Sequence, residues 1–179
     1  MLKSKKLVNS LLALSTMALA ACAGVGSKYI ADSKEWPSYG HDYTNQRMSP
    51  LTQINIQNAE KLGLAWQFKT GVAATFQATP IVIDGIMYVA LPYNHVAALD
   101  AKTGKELWRY QHERKANWKM CCGPASRGVA VSDGKVFIGT VDARLIALDA
   151  KTGAKIWDIN VADDTALTEN TSSLSKADA

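Results

Sequence analysis

The chain has 179 residues, which is enough for one domain with a sizeable hydrophobic core. With 47% hydrophobic and 20% charged residues, its composition is that of a globular protein and excludes a disordered or fibrous one. The formal charge of +4 includes three lysines among the first six residues; without them, 17 basic side chains face 16 acidic ones, and no basic patch remains to bind nucleic acid.

Residues 1–21 are predicted to be a signal peptide, because three lysines precede an apolar run at residues 7–19 that is too short to span a bilayer. Two cleavage sites compete. Residues 18–20 (Ala-Leu-Ala) fit ordinary secretion, whereas residues 19–22 resemble the bacterial lipobox, in which Cys22 is acylated and becomes the new N-terminus. We favour the lipobox. Either site predicts a periplasmic protein, and a lipidated Cys22 would attach it to a membrane.

The composition of the segment between the predicted signal peptide and the first repeat changes several times along the chain. Residues 22–34 are small and polar and predict a tether. Residues 35–50 mix aromatic residues with Pro, Gly and Asn, which is typical of an ordered loop wrapping a surface. Residues 54–61 favour a short helical turn, and residues 62–69 predict the outer strand of an incomplete sheet that ends a preceding unit.

A repeat then begins. Residues 99–108 (LDAKTGKELW) return as residues 148–157 (LDAKTGAKIW), and Asp84-Gly85 returns as Asp133-Gly134, each 49 residues later. A constant period of this size indicates a solenoid, a propeller or an array. Because each copy contains short β-branched runs between tight-turn signals, we predict an all-β fold, a partial β-propeller of about two four-stranded blades over residues 35–162. The predicted strands are residues 78–83, 86–90, 96–99 and 106–110, then residues 128–131, 136–139, 145–148 and 155–159.

Each copy ends in a tryptophan. We predict that Trp108 and Trp157 lie between adjacent sheets, where a glycine lets the backbone approach the flat indole closely. Residues 163–179 are polar, lack this rhythm and are predicted to be disordered. Since a closed propeller takes roughly 4 to 8 blades, the chain is expected to be the N-terminal part of a larger protein, a truncated product, or a unit that assembles with other chains.

The same 49-residue offset locates a candidate site. The innermost strand of the first unit begins near Gln77, and the equivalent position in the second unit is Ser126-Arg127. Innermost strands line the axis of a propeller, so Gln77, Arg127 and the preceding Cys121-Cys122 pair are expected at one rim.

The cysteine pair raises the question of a disulfide between adjacent residues. Adjacent Cα atoms lie about 3.8 Å (trans) or 2.9 Å (cis) apart, against roughly 4.4–6.8 Å in ordinary disulfides. A disulfide here would need a distorted peptide, as functional sites sometimes have. Two free cysteines or a loop pair without a role remain the alternative.

The histidines and turn aspartates carry less information. His41, His95 and His112 are not at metal-ligand spacing, and we expect His95 to be structural. Four aspartates are expected to cap backbone groups in turns rather than to act as bases: Asp84, Asp100, Asp133 and Asp149.

These motifs together resemble the start of the quinoprotein alcohol dehydrogenases, exported eight-bladed propellers that use pyrroloquinoline quinone (PQQ). The resemblance covers residues 36–157. It rests on the Trp-ending Leu-Asp-Ala-x-Thr-Gly repeats, on residues 79–85 (TPIVIDG), and on Cys121-Cys122 followed by Arg127. The opening residues 36–47, with Trp-Pro-x-Tyr-Gly and Asn-Gln-Arg, also resemble the family's opening loop.

The resemblance implies specific roles. Cys121 and Cys122 would form a disulfide that packs on one face of the planar quinone, and Arg127 would donate hydrogen bonds to quinone oxygens. Gln77 stands where the family commonly has a glutamate that contacts the cofactor; an amide keeps the hydrogen bonding and loses the charge. The cofactor would accept a hydride from a small alcohol, with a periplasmic acceptor such as a cytochrome c as electron partner. Ca²⁺ would polarise the quinone carbonyl.

The family's calcium ligands, its second stacking aromatic residue and its catalytic aspartate come from later blades and have no counterpart here. We therefore expect an N-terminal portion of a PQQ-dependent alcohol dehydrogenase that does not oxidise alcohols alone. The alternatives are a non-enzymatic β-propeller scaffold lipoprotein of outer-membrane protein assembly, which suits the lipobox but needs neither the cysteine pair nor Arg127, and a decayed remnant without function.

Overall fold

The computed structural model describes residues 34–42, 44–113 and 123–162, all of which belong to the unit Ser33–Ala179. The predicted signal peptide, nearly all of the predicted tether and the predicted tail at 163–179 lie outside the described residues. Within the described part of the chain, no helix is long and apolar enough to cross a membrane.

Two antiparallel sheets of four strands each form the fold, and in both sheets the strands lie in chain order. Every strand of the second sheet begins 49 residues after its counterpart in the first, so the predicted partial propeller of two four-stranded units is confirmed. The strands are β1 (Ile81–Ile83), β2 (Ile86–Leu91), β3 (His95–Asp100), β4 (Glu106–Tyr110), β5 (Ala130–Ser132), β6 (Lys135–Gly139), β7 (Arg144–Asp149) and β8 (Lys155–Asn160).

Successive antiparallel strands run in opposite directions, so their connections alternate between two edges of each sheet. Tight turns join β1 to β2, β3 to β4, β5 to β6 and β7 to β8; we call this side the hairpin edge. The connections from β2 to β3, β4 to β5 and β6 to β7 leave from the opposite side, where the chain also enters β1. We call this side the loop edge.

Turn chemistry explains the hairpin edge. Asp84 and Gly85 have φ values of 51° and 75°, and Asp133 and Gly134 have 48° and 69°, as a type I′ hairpin requires. Between β3 and β4, one carboxylate oxygen of Asp100 accepts hydrogen bonds from the Thr103 N–H and hydroxyl, both at 2.7 Å. Asp149 accepts the same pair from Thr152 in the second sheet, at 2.8 and 2.9 Å. Asp100 and Asp149 therefore cap turns, as the sequence predicted, whereas Asp84 and Asp133 contribute the left-handed backbone of the hairpins.

Tryptophans dock the layers on one another. Trp108 is only 8% exposed, and its indole N–H donates to the Ala150 carbonyl of the second sheet at 3.0 Å. A Cβ on Gly153 would lie 2.5 Å from the Trp108 ring, so only glycine permits this approach. On the other face of the first sheet, Trp66 lies against Gly104 in the same way and packs with Phe68 on a buried apolar cluster.

The prediction for Trp108 is therefore correct, whereas the described structure shows Trp157 in a different setting. Trp157 is half-buried beside Phe137, with ring centroids 5.8 Å apart, and contacts no second sheet among the described residues. Trp66, rather than Trp157, is the second docking indole, which the sequence analysis placed only on an outer strand.

Two flanking predictions need correction or refinement. Residues 62–69 form no β-strand, because no other strand in the described part of the chain pairs with them. The predicted helical turn at 54–61 is a 3₁₀ turn confined to Ala59–Lys61. The predicted surface loop at 35–50 makes one isolated bridge, in which Trp36 exchanges two backbone hydrogen bonds of 2.9 Å with Val82 of β1.

Candidate functional site

The loop edge brings together the segments that enter the first strand of each sheet. The ideal Cβ position of Gly128, just before β5, is 3.8 Å from the Thr79 carbonyl oxygen, just before β1. Gly128 has a φ of 148°, which a side chain would disfavour. The two incoming segments thus run side by side, and it is the backbone conformation rather than the space that calls for glycine here.

Gln77 and Arg127 meet across these segments. The Arg127 Nε–H donates a long hydrogen bond of 3.5 Å to the Gln77 side-chain carbonyl oxygen, and both side chains are exposed. Within the described residues, Arg127 has no carboxylate partner, so its charge is not neutralised there and its other N–H donors are unused. A guanidinium in this setting can bind a planar oxygen-bearing group.

The turn between β2 and β3 flanks this pair with an unusual backbone. Tyr93 and Asn94 have φ values of 65° and 62°, in the left-handed region that bulky side chains rarely adopt. The Tyr93 N–H donates to the Pro124 carbonyl at 2.8 Å, which ties the turn to the segment that leads to Arg127. Backbone strain of this kind tends to collect at functional sites.

Asn94 holds the two sheets together at the loop edge. It is only 3% exposed; its side-chain oxygen accepts the Val141 N–H at 3.0 Å, and its amide donates to the Gly139 carbonyl at 3.4 Å. Both partners belong to β6 or to the loop that follows it. A buried amide that is bonded through both its oxygen and its nitrogen fixes the distance between the two loops.

His112 and Asp142 form a second, charged connection close by. The His112 Nε2 lies 2.9 and 3.1 Å from the two Asp142 oxygens, and the side chains are 3% and 1% exposed. The His112 backbone N–H donates to the His95 Nδ1 at 2.9 Å. His95 is therefore structural in the described fold, as predicted, because its ring nitrogen accepts from the backbone of the β4–β5 connection.

The electrostatics of Asp142 follow from these contacts. Burial by itself raises the pKa of its carboxyl, but hydrogen bonds from the Thr140 and His112 side chains outweigh burial and hold the pKa below its usual value of 3.8. Asp142 is therefore ionised at neutral pH inside the interface between the sheets. Because a buried carboxylate is costly without its hydrogen bonds, Thr140 and His112 must stay in place beside Asp142.

An open cleft of about 350 Å³ adjoins His112. Its floor includes the Arg144–Asp158 ion pair, with an N–O distance of 2.6 Å, and Lys155 contacts the same carboxylate at 3.1 Å. The lining residues are Tyr110, Gln111, His112, Glu113, Arg144, Lys155 and Asp158. Since Arg144 and Lys155 are both paired with Asp158, the cleft offers no free cation comparable to Arg127.

Two of the four predicted cofactor residues can thus be placed. Gln77 and Arg127 lie together, while Cys121 and Cys122, and Cys22 with them, lie outside the described residues. The described residues hold no cluster of three or more His, Cys, Asp or Glu side chains that could bind a metal ion. The predicted binding roles and the predicted disulfide stay predictions.

Sequence reasoning missed Asn94, His112 and Asp142 as members of this edge. Asn94 lies in a Pro-Tyr-Asn sequence, and asparagine readily adopts the left-handed conformation of a turn. This turn signal is the feature from which its position could have been predicted. His112 and Asp142 gave none, because their pairing joins two loops whose counterparts one repeat away carry different residues.

Comparison with known proteins gives a consistent result. The sequence profile of the family described as "PQQ: Glucose/ethanol/alcohol dehydrogenase, beta-propeller domain" matches residues 36–176. The 1-butanol dehydrogenase (cytochrome c) of Thauera butanivorans is 43% identical over 124 residues, which are 68% of this chain and 18% of that protein.

Solved structures show the same likeness. The quinohemoprotein alcohol dehydrogenase from Comamonas testosteroni superposes with a TM-score of 0.70 at 42% identity, over 82% of this chain and 23% of that one. A europium-containing methanol dehydrogenase gives a TM-score of 0.70 at 38% identity, over 76% of this chain and 24% of that one. The chain thus spans between about a sixth and a quarter of the length of these relatives.

Proposed function

The chain belongs to the PQQ glucose/ethanol/alcohol dehydrogenase β-propeller family, and we propose that its loop edge forms one wall of the PQQ site of an alcohol-oxidising enzyme. The observation that carries the proposal is the Arg127–Gln77 pair, which leaves an exposed guanidinium with unused donors at the shared opening of the two sheets. When bound, PQQ supplies the hydride-accepting chemistry.

The side chains present fit such a group. Arg127 offers a planar fork of N–H donors that suits quinone oxygens, and its one hydrogen-bond partner within the described residues is a neutral amide oxygen at 3.5 Å. Gln77 orients the guanidinium without neutralising it. In our proposal, Cys121 and Cys122 complete the wall by packing on the quinone face.

The fit does not extend to Ca²⁺. No described group of carboxylates has the composition of a metal site, and we assign no step to a metal bound by these residues. We also propose that the chain alone does not turn over an alcohol, since the described residues present no candidate base beside Arg127. The relatives' names mention 1-butanol, cytochrome c and haem, and we propose an alcohol substrate and a cytochrome c acceptor on that likeness.

Equilibrium titration of the purified chain with PQQ, followed by quenching of tryptophan fluorescence, tests the proposal. Arg127→Gln is expected to weaken binding by about tenfold or more, because a hydrogen bond from a charged group is lost. Lys102→Gln is the matched control: it removes the same charge at the hairpin edge and is expected to leave the affinity within about twofold.

The proposal fails if the wild-type chain does not bind PQQ, or if both variants weaken binding equally. The scaffold alternative has no use for Arg127 and Gln77 and expects no PQQ binding. Addition of ethanol and an artificial electron acceptor to the PQQ-loaded chain is expected to give no turnover, and measurable acceptor reduction would contradict the claim that the chain is inactive alone.

A further inference from the structure

Three loops at the loop edge are joined by hydrogen bonds that have no counterpart elsewhere in the described repeat. Asn94 links the β2–β3 turn to Val141, and His112 links the β4–β5 connection to Asp142 in the same β6–β7 loop. The Tyr93 N–H then reaches the far end of that connection at Pro124. The network therefore touches the β4–β5 connection on both sides of the part that lies outside the described residues.

These hydrogen bonds connect His112 to the β2–β3 turn and, through that turn, to Pro124. His112 is held twice, by its ring on Asp142 and by its backbone N–H on His95. His95 directly follows Asn94 and Tyr93, so movement of His112 acts on the turn that fixes Pro124. Arg127 lies three residues beyond Pro124 and is itself exposed, and among the described side chains the long contact to Gln77 alone orients it.

We propose that His112 and Asp142 are positioning residues: their buried pair locks the three loops and thereby holds Arg127 over the opening that Gln77 lines. This inference rests on the proposed function for its consequence, cofactor binding, but not for the coupling between the loops. The contacts of His112 and Asp142 lead toward Arg127 through Tyr93, Asn94 and Pro124, so their effect is an indirect one.

The energetics of the His112–Asp142 pair favour a role in ordering the loops rather than in the overall stability of the fold. A buried, hydrogen-bonded carboxylate repays little more than its desolvation, so the joint replacement of Asp142 and its partner by apolar residues is often neutral for global folding. Its directional bonds, however, restrict the loops to one arrangement. Loss of the pair should therefore open the loop edge locally while the sheets stay folded.

The experiment compares two double variants of the full chain by hydrogen–deuterium exchange. His112→Leu with Asp142→Leu replaces the positioning pair with apolar side chains. Arg144→Leu with Asp158→Leu is the matched control, because it removes an ion pair of similar distance that joins two neighbouring strands of one sheet. A third variant, Asp142→Asn, keeps an oxygen that can accept from Thr140 and His112.

The positioning pair variant is expected to raise exchange about tenfold or more in peptides covering residues 92–94 and 123–129, with β2 and β7 unchanged. The control and Asp142→Asn should stay within about threefold of the wild type in those peptides. PQQ affinity should fall about tenfold in the positioning pair variant alone. Equal exchange in the positioning pair variant and the control, or an increase spread over all strands, overturns the inference.

The two proposals fail in distinguishable ways. If the wild-type chain does not bind PQQ, the proposed function is wrong, while the exchange comparison still decides whether His112 and Asp142 order the loops. If PQQ binds and the positioning pair variant opens the loops without any loss of affinity, the ordering is real but does not position Arg127, and the inference is overturned.

Discussion

Single glycines fix how closely the layers of this protein approach. Gly104 and Gly153 both have a φ of 72°, so the backbone alone disfavours any other residue there. Each also lies under an indole, Trp66 and Trp108 respectively, in the space that a Cβ would need. These two requirements act together in one residue, and a matched pair of substitutions separates them.

Gly153→Ala is expected to destabilise the chain by about 2–5 kcal/mol, combining about 1–2 kcal/mol for the left-handed backbone with about 1–3 kcal/mol for displacement of Trp108. Gly134→Ala is the control, because its φ of 69° is similar and nothing lies within 4 Å of its Cβ position. Urea denaturation measures both. Equal losses of unfolding free energy would contradict the docking argument.

At the scale of the elements, the β3–β4 and β7–β8 turns repeat one capping arrangement. The side-chain hydrogen bond from Thr103 lowers the pKa of Asp100, and the backbone N–H of Thr103 lowers it further. Thr152 lowers the pKa of Asp149 in the same two ways. Both carboxylates are thus bound more tightly as ions in the folded state.

The sign of the pH dependence follows from this direction. A carboxyl with a depressed folded pKa stabilises the fold above its ordinary pKa of 3.8, and the contribution is lost as the pH falls through the lower folded value. We expect wild type to be more stable than the Asp100→Asn, Asp149→Asn variant at about pH 6, with the difference shrinking toward about pH 3. Urea titrations across that range test this, and a difference that stays constant with pH would count against it.

The tryptophans of the two outer strands should differ in energetic weight. Trp108→Phe loses the bond to the Ala150 carbonyl as well as buried area, and we expect a loss of about 2 kcal/mol. Trp157 occupies the equivalent place but is half-buried, so Trp157→Phe is expected to cost less than about 1 kcal/mol. Thermal unfolding of both variants provides the measurement. A loss at Trp157 as large as that at Trp108 would contradict this difference between the two positions.

The strands were predictable because turn signals and alternation repeat within each copy. Asp84-Gly85 and Asp133-Gly134 set the hairpins, and the predicted strand starts lie within three residues of the observed ones. Residues 62–69 were mispredicted as a strand for a physical reason. Alternation reports which side chains face a core, whereas a strand also needs a neighbouring strand to pair with.

For the whole molecule, the offset between repeats predicted that Gln77 and Arg127 are neighbours, because equivalent positions of adjacent units must lie side by side. It did not predict the bonds between Asn94 and Val141 or between His112 and Asp142. Those contacts depend on the packing of one sheet's loops on the next, and residues that differ between copies leave no trace in a periodic pattern. The site is thus predictable where the repeat is regular and unpredictable where it is broken.

The backbone bridge between Trp36 and Val82 has a consequence for the aggregation of the protein in solution. The unpaired margin of a sheet invites strands of other molecules to add to it and so seeds aggregation. By taking both the donor and the acceptor of Val82, Trp36 covers that margin at the middle of the three-residue strand β1. The opening loop thus protects β1 from pairing with a strand of another molecule.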